Sequence, residues 1–197
     1  MALTKVTNSL LDLPVKTFGT DSIMIGDTTT GTIDAANYNT GVGVDVFAAL
    51  TSGDGNSAFG TFALNANTTG SNNTALGYGT LFSTTTGDDN VAIGYGTLLA
   101  NTTASDNTAV GYNAMNANTT GLHNTAVGSE ALKANTTASN NVAVGMDAMK
   151  ANTTGSQNVA VGQKALEANT TANDNTAVGL VALTLNTTGA SNTALGK

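Results

Sequence analysis

The chain contains no cysteine, no tryptophan, no arginine and only one proline, Pro14. The lack of cysteine excludes disulfide bonds and thiolate chemistry. All six basic residues are lysines, they form no basic run, and the formal net charge is −7. Because phosphate recognition depends on clustered cationic side chains, this composition predicts that nucleic acid is not a partner.

Long hydrophobic runs are missing as well. No apolar stretch approaches the roughly 20 residues that span a bilayer, so we expect no membrane insertion. The apolar residues near the N-terminus are interrupted by Lys5, Asn8 and Asp12, a pattern that does not match a secretory signal. We therefore expect synthesis in a cytoplasm without a Sec-type route of export.

The dominant feature that is present is a pentapeptide, Asn-x-Ala-aliphatic-Gly, which recurs nine times at a constant spacing of 17 residues. Its copies begin at Asn56, Asn73, Asn90, Asn107, Asn124, Asn141, Asn158, Asn175 and Asn192. A fixed period of this length predicts a solenoid in which each repeat is one coil stacked on the previous one. Low charge and many small polar residues are also found in disordered chains, but a disordered chain has no reason to keep its apolar positions in phase.

The repeat frame extends weakly upstream through Asn39 to Ser22, which divides the chain into three expected segments. Residues 1–21 carry no repeat and are predicted to be an N-terminal attachment segment. Residues 22–55 are expected to form degenerate first coils, and residues 56–197 the regular shaft of 17-residue repeats.

We number the positions of a repeat from 1 to 17, beginning at its Asn. Positions 2 to 4 read Thr or Val, Ala, then an aliphatic residue, so positions 2 and 4 face one side of a short β-strand and positions 1, 3 and 5 the other. Each coil offers two sizeable apolar side chains, worth roughly 1.5–3 kcal/mol each, against an ordering cost of roughly 1 kcal/mol or more per residue. A further buried surface is therefore needed, and we expect the small Ala and Gly face to pack against other copies of the chain. The residues expected to face those copies are Ala75, Ala92, Ala109, Ala126, Ala143, Ala160 and Ala177.

The segment after the strand is ambiguous. Positions 7 and 10 carry opposite charges in three successive copies, Glu130 with Lys133, Asp147 with Lys150 and Lys164 with Glu167. A spacing of three places both side chains on one side of a helical turn, whereas a second short strand would point them in opposite directions. The third possibility is that both positions lie in an exposed loop. We expect an all-β fold, a parallel β-solenoid (β-roll) of 17-residue coils, with the helical turn favoured over the second strand.

The Asn-x-Ala-Val-Gly core followed by a turn rich in Gly and Asn resembles the head repeats of trimeric autotransporter adhesins, the YadA-like heads, and repeats of bacteriophage tail fibres. The resemblance covers residues 39–196, although the adhesin heads usually have a shorter period. It implies a parallel β-roll in which three chains wrap one axis, so an intertwined or side-by-side homotrimer is expected. Trimeric autotransporters need a signal peptide and a membrane anchor, whereas the opening MALTKV resembles the starts of many phage fibres.

The expected function is accordingly that of a structural fibre protein of a phage virion, a rigid trimeric rod that supports host-cell attachment. Its expected partners are itself, other virion or tail proteins through the N-terminal segment, and a host surface glycan or protein. One alternative is the head of a bacterial trimeric adhesin at the cell surface. The other is a solenoid whose Thr columns, at positions 13 and 14, bind ice or carbohydrate.

Two side-chain columns are candidate functional features. An Asn at position 12 can hydrogen-bond along the solenoid axis, which predicts a structural ladder of Asn67, Asn101, Asn118, Asn135, Asn152, Asn169 and Asn186. Tyr78, Tyr95 and Tyr112 share position 6 and form a column for receptor binding or for packing.

No residue pattern indicates an enzyme, a metal site or a cofactor. Asp89, Asp106 and Asp174 directly precede a repeat and are interpreted as turn caps, because Ca²⁺ needs six or more converging oxygens. His123 is the only histidine, and no Ser-His-Asp set can be assembled around it.

Overall fold

The computed structural model describes residues 15–18, 21–26 and 35–196. These residues form one 12-stranded sheet in which the strands follow each other in chain order. The strands are β1 (Val15–Phe18), β2 (Ser22–Gly26), β3 (Thr40–Gly43), β4 (Ser57–Phe59), β5 (Thr74–Leu76), β6 (Val91–Ile93), β7 (Thr108–Val110), β8 (Thr125–Val127), β9 (Val142–Val144), β10 (Val159–Val161), β11 (Thr176–Val178) and β12 (Thr193–Leu195).

Strands β2 to β12 pair in parallel and in register, each displaced from the next by one repeat. Ala92 of β6, for example, pairs with Ala109 of β7. The register already holds upstream of the regular array, where Ile23 pairs with Thr40. The predicted all-β parallel solenoid of 17-residue coils is therefore confirmed.

The first strand differs from the others. β1 pairs with β2 in the antiparallel direction, with Val15 opposite Ile25 and Phe18 opposite Ser22. It lies inside the predicted attachment segment, of which residues 1–14 and 19–20 fall outside the described residues. An antiparallel strand at this edge occupies backbone groups that would otherwise be open to another chain.

The core lies inside each coil, between the strand and the turn that follows it. Position 3 contributes Ala and position 9 contributes Leu, Met or Phe, so that Ala143 and Met149 of one coil are both fully buried. The expectation that the position 3 alanines face other copies of the chain is wrong, because their side chains lie wholly within the chain's own core. This correction applies to Ala75, Ala92, Ala109, Ala126, Ala143, Ala160 and Ala177.

The segment from position 6 to position 11 is neither a helix nor a strand, so the favoured helical turn is wrong. Its backbone visits the left-handed region at positions 7 and 9, with φ of 58° at Glu130 and 50° at Leu132. The Glu130 amide donates to the carbonyl of Tyr112 in the preceding coil (2.8 Å), and the Leu132 amide to that of Ala148 in the following coil (3.0 Å). A helix would require negative φ and amide bonds four residues back in its own segment.

The glycine at position 5 lets successive coils approach closely. Gly128 has φ of 139°, and a Cβ atom on it would lie 2.5 Å from the carbonyl oxygen of Gly145 in the next coil. A side chain there would clash with the backbone of the next coil, and its residue would also have an unfavourable φ. These two costs explain why the regular copies all have Gly at this position.

Candidate functional site

The predicted Asn column at position 12 is buried and hydrogen-bonded from coil to coil. The Nδ2 of Asn135 donates to Oδ1 of Asn118 (2.9 Å) and also to the carbonyl of Ala138 in its own turn (3.0 Å). The same side-chain contact links Asn101, Asn118, Asn135, Asn152, Asn169 and Asn186. The column changes at Thr84, whose Oγ1 accepts from Nδ2 of Asn101 (3.3 Å), and Asn67 bonds within its own turn. The side chains from Asn101 to Asn186 therefore link successive coils, and the column is buried except at Asn186.

A second Asn column, at position 1, is the feature that the sequence reasoning missed. Oδ1 of Asn124 accepts both the backbone amide (3.0 Å) and the Nδ2 (3.2 Å) of Asn141 in the next coil. The pattern begins at Asn39 and continues to Asn192. The sequence did contain a signal for this column. Asn is disfavoured in β-strands, so its presence at the start of the strand in every copy needs another reason.

The two Thr columns differ in their hydroxyl partners. At position 13 the hydroxyls donate to the next coil, as Oγ1 of Thr119 does to the carbonyl of Thr136 (3.0 Å). At position 14 the residues are exposed, as at Thr120 and Thr137, and their hydroxyls have no hydrogen-bond partner among residues 35–196. Only one of the two Thr columns is therefore free to contact a ligand.

The three tyrosines at position 6 form an exposed stack along the solenoid. The ring centroids of Tyr78 and Tyr95 are 5.3 Å apart at an interplanar angle of 8°, and those of Tyr95 and Tyr112 are 5.7 Å apart at 18°. About half of each side chain remains exposed. Phe62 contacts the first ring of the stack edge-on, with centroids 5.7 Å apart.

The outer sheet face, defined as positions 2 and 4 of β4 to β12, is an accessible surface that runs along the whole array. Position 4 places a column of large apolar side chains there, of which Leu76 is 48% exposed and Val127 37%. The column comprises Phe59, Leu76, Ile93, Val110, Val127, Val144, Val161, Val178 and Leu195. Isolated exposed apolar residues are common, but a continuous column on one face is typical of a surface that contacts another molecule.

Charged residues are concentrated on the turn of three coils. Oε1 of Glu130 lies 2.7 Å from Nζ of Lys133, and its Oε2 lies 2.6 Å from Nζ of Lys150 in the next coil. Lys150 also contacts Asp147 at 3.1 Å. Hydrogen bonds from Lys133 and then Lys150 lower the pKa of Glu130, and those to Glu130 and then Asp147 raise the pKa of Lys150. The oppositely charged residues at positions 7 and 10 thus pair within each of the three coils, and Lys150 also links two coils through Glu130.

The described part of the chain holds no cluster of three or more His, Cys, Asp or Glu side chains that could bind a metal ion. Nδ1 of His123 lies 3.7 Å from Oδ2 of Asp106, and both side chains are at least half exposed. Both residues have positive φ, as do most residues at position 17. This conformation explains the frequent Asn and Asp at position 17, because their side chains tolerate positive φ. Within residues 15–18, 21–26 and 35–196 no helix is long and apolar enough to cross a membrane.

Comparisons of the chain with protein-family models, with curated proteins and with solved structures found no match.

Proposed function

We propose that this chain is a structural fibre protein, a rigid rod whose copies associate in parallel, as a homotrimer, through the outer sheet face. Its proposed setting is a phage virion, where the rod supports attachment to the host cell. The observation that carries the proposal is the continuous apolar column at position 4 of the outer sheet face.

The interior of the solenoid supports a mechanical role. Buried side-chain nitrogen and oxygen atoms of the described residues all have hydrogen-bond partners. Successive coils are bonded through backbone amides and the position 1 Asn column, and from Asn101 onwards also through the position 12 Asn column, so bending the rod would break several bonds at once. At a spacing of about 4.8 Å per coil, the nine regular copies extend roughly 40 Å.

The outer sheet face supports parallel association. Copies in the same direction and register would bring equal rows of Val, Leu and Ile together at every coil, and cyclic symmetry closes such an assembly. The resemblance of the repeat core to repeats of phage fibres and adhesin heads supports three copies. The phage setting is proposed from the resemblance of the residues MALTKV to segments of phage fibres.

Ice binding is less well supported. A surface that matches ice must present ordered groups in two dimensions, and the position 13 hydroxyls, such as that of Thr119, are already bonded to backbone carbonyls. A single free Thr column at position 14 does not make a plane.

The direct test is the mass of the protein in solution, measured by analytical ultracentrifugation, together with negative-stain imaging. The proposal predicts a single species of three times the 19.5 kDa chain mass. Replacing Val144 and Val161 with lysine should place charges on the outer sheet face and release monomers.

The matched control is Ser129→Lys, which adds a charge at an exposed position off this face. It should leave the assembly intact. A monomeric wild-type protein, or a trimer that survives both valine replacements, would refute association through the outer sheet face. Detecting the protein in purified virions, as opposed to on bacterial cells, would separate the phage setting from the adhesin.

A further inference from the structure

One repeat leaves an open space where most coils have a side chain. Position 7 is Gly79 in this repeat, and a Cβ atom added there would meet only Cδ1 of Leu99, at 3.8 Å. The next coil also has glycine, Gly96, but there a Cβ atom would lie 2.5 Å from Oδ1 of Asn113, whose side chain fills the space. The two glycines therefore differ, and only the first opens onto a cavity.

Aromatic rings surround this space. The ring of Phe62 stands nearly perpendicular to that of Tyr78 (84°, centroids 5.7 Å apart) and to that of Phe82 (87°, 6.0 Å). The resulting cavity has a volume of about 570 Å³. Its lining comprises Asp45, Phe62, Asn65, Tyr78, Gly79, Phe82 and Leu99. We refer to it as the aromatic slot.

The coils that form the aromatic slot carry acidic side chains and no basic ones. Between residues 35 and 129 the chain has no lysine or arginine, and its carboxylates are Asp45, Asp54, Asp88, Asp89 and Asp106. Asp45 itself lines the slot. The lysines of the regular array begin only at Lys133, more than two coils beyond Phe82. An approaching cation therefore meets acidic and no basic side chains within these coils, which favours it over an anion.

We propose that the aromatic slot binds an alkylammonium cation, and that a quaternary ammonium group of the size of choline is a suitable ligand. Ring faces attract such cations through their quadrupole, and desolvated aromatic cages are the usual sites for quaternary ammonium groups. The carboxylate of Asp45 adds charge complementarity, while Gly79 supplies the room. This inference goes beyond the fibre proposal and holds whether the chain is a monomer or a trimer.

The test is a proton NMR titration of the full chain with choline, following the trimethylammonium signal. Binding in the slot should move this signal upfield, because the protons enter the shielding region of the rings. Tyr78→Ala and Phe82→Ala should each weaken binding by about 2- to 30-fold, the range that a cation–π contact supports. Gly79→Asn should fill the slot and abolish binding, since Asn113 adopts positive φ at the same position of another repeat.

The matched control is Tyr112→Ala, which removes an equivalent ring from the far end of the stack, outside the slot. It should bind choline as the wild type does. Asp45→Asn, which keeps the size of the side chain and removes its charge, should weaken binding.

The inference would be overturned by equal binding of the uncharged isostere in which a tert-butyl group replaces the trimethylammonium group, since the slot would then be merely apolar. Binding of a methyl glycoside without binding of choline would assign the slot to neutral sugars. Equal losses from Tyr78→Ala and Tyr112→Ala would also contradict it. If circular dichroism shows that Gly79→Asn does not fold, the choline affinities of Tyr78→Ala and Tyr112→Ala decide whether choline binds in the slot.

Discussion

At the scale of single residues, differences between repeats are compensated inside the same coil. The coil that begins at Asn39 has Gly41 where regular copies have Ala, and Phe47 where the next coil has Leu64. A Cβ atom on Gly41 would lie 3.0 Å from the ring of Phe47 and 3.0 Å from Cγ1 of Val46. The ring of Phe47 therefore fills the space that the methyl group of an Ala at position 41 would occupy, and the two replacements compensate each other in volume.

A double-mutant cycle tests this compensation. Gly41→Ala alone should destabilise the protein by about 1–3 kcal/mol, because the added methyl group overpacks a filled site. Combining it with Phe47→Leu recreates the Ala and Leu pair of the regular coils and should recover about 1–2 kcal/mol relative to the sum of the single changes. Denaturant unfolding measures each variant. Strict additivity would show that the two residues pack independently.

The position 12 Asn column gives a second prediction at the residue scale. Asn135→Ala should cost about 3 kcal/mol, because it leaves Oδ1 of Asn118 without its donor and opens a small cavity. Asn135→Thr should cost clearly less, since Thr84 already stands in this column and accepts from Asn101. Thermal unfolding compares the two variants, and equal losses would mean that the ladder bonds contribute little.

At the scale of elements, the strand was predictable and the turn was not. Alternation over positions 2 to 4 indicates a strand directly, because its period of two is a property of extended backbone. The turn places Leu132 and Met149 at positive φ, a conformation that carries no sequence signature in bulky residues. The buried face of the strand was not predicted either, because the short core between β3 to β12 and the turns has room only for Gly or Ala opposite the large residue at position 9.

The charged turn predicts a specific pH dependence. The folded pKa of Glu130 lies below its unfolded value, so its stabilising contribution is present above the unfolded pKa and is lost as pH falls through the folded pKa. Glu130→Gln should therefore reduce the loss of unfolding temperature between about pH 7 and about pH 3. Added salt should have a similar effect, because the side chains are accessible to solvent.

The control for this prediction is Asp174→Asn, which makes the same change of charge at a carboxylate that has no ion-pair partner in the described coils. At neutral pH its unfolding temperature should match that of the wild type, because the exposed side chain forms no ion pair within these coils. An acid response of Glu130→Gln identical to that of the wild type would show that the two lysines do not stabilise the carboxylate.

At the scale of the whole molecule, the 17-residue period alone predicts the solenoid, since equal spacing leaves few other ways to bury the apolar positions. The Tyr stack also follows from the period. The aromatic slot could not be predicted, because it depends on which side chains fill the spaces beside two glycines. Asn113 fills the space at Gly96, whereas the space at Gly79 stays open. Association through the outer sheet face is the central claim at this scale, and it rests on Val144 and its equivalents pointing outwards while Ala143 and its equivalents point inwards.

The most direct test of that claim is cysteine cross-linking, for which the absence of native cysteine provides a clean background. Val144→Cys and Ala143→Cys place a thiol at adjacent residues on opposite faces of β9. Under mild oxidation, association through the outer sheet face predicts a covalent dimer from Val144→Cys and none from Ala143→Cys, whose thiol should also resist alkylation in the native protein. Cross-linking through position 143, or none through position 144, would show that the copies do not meet through this face.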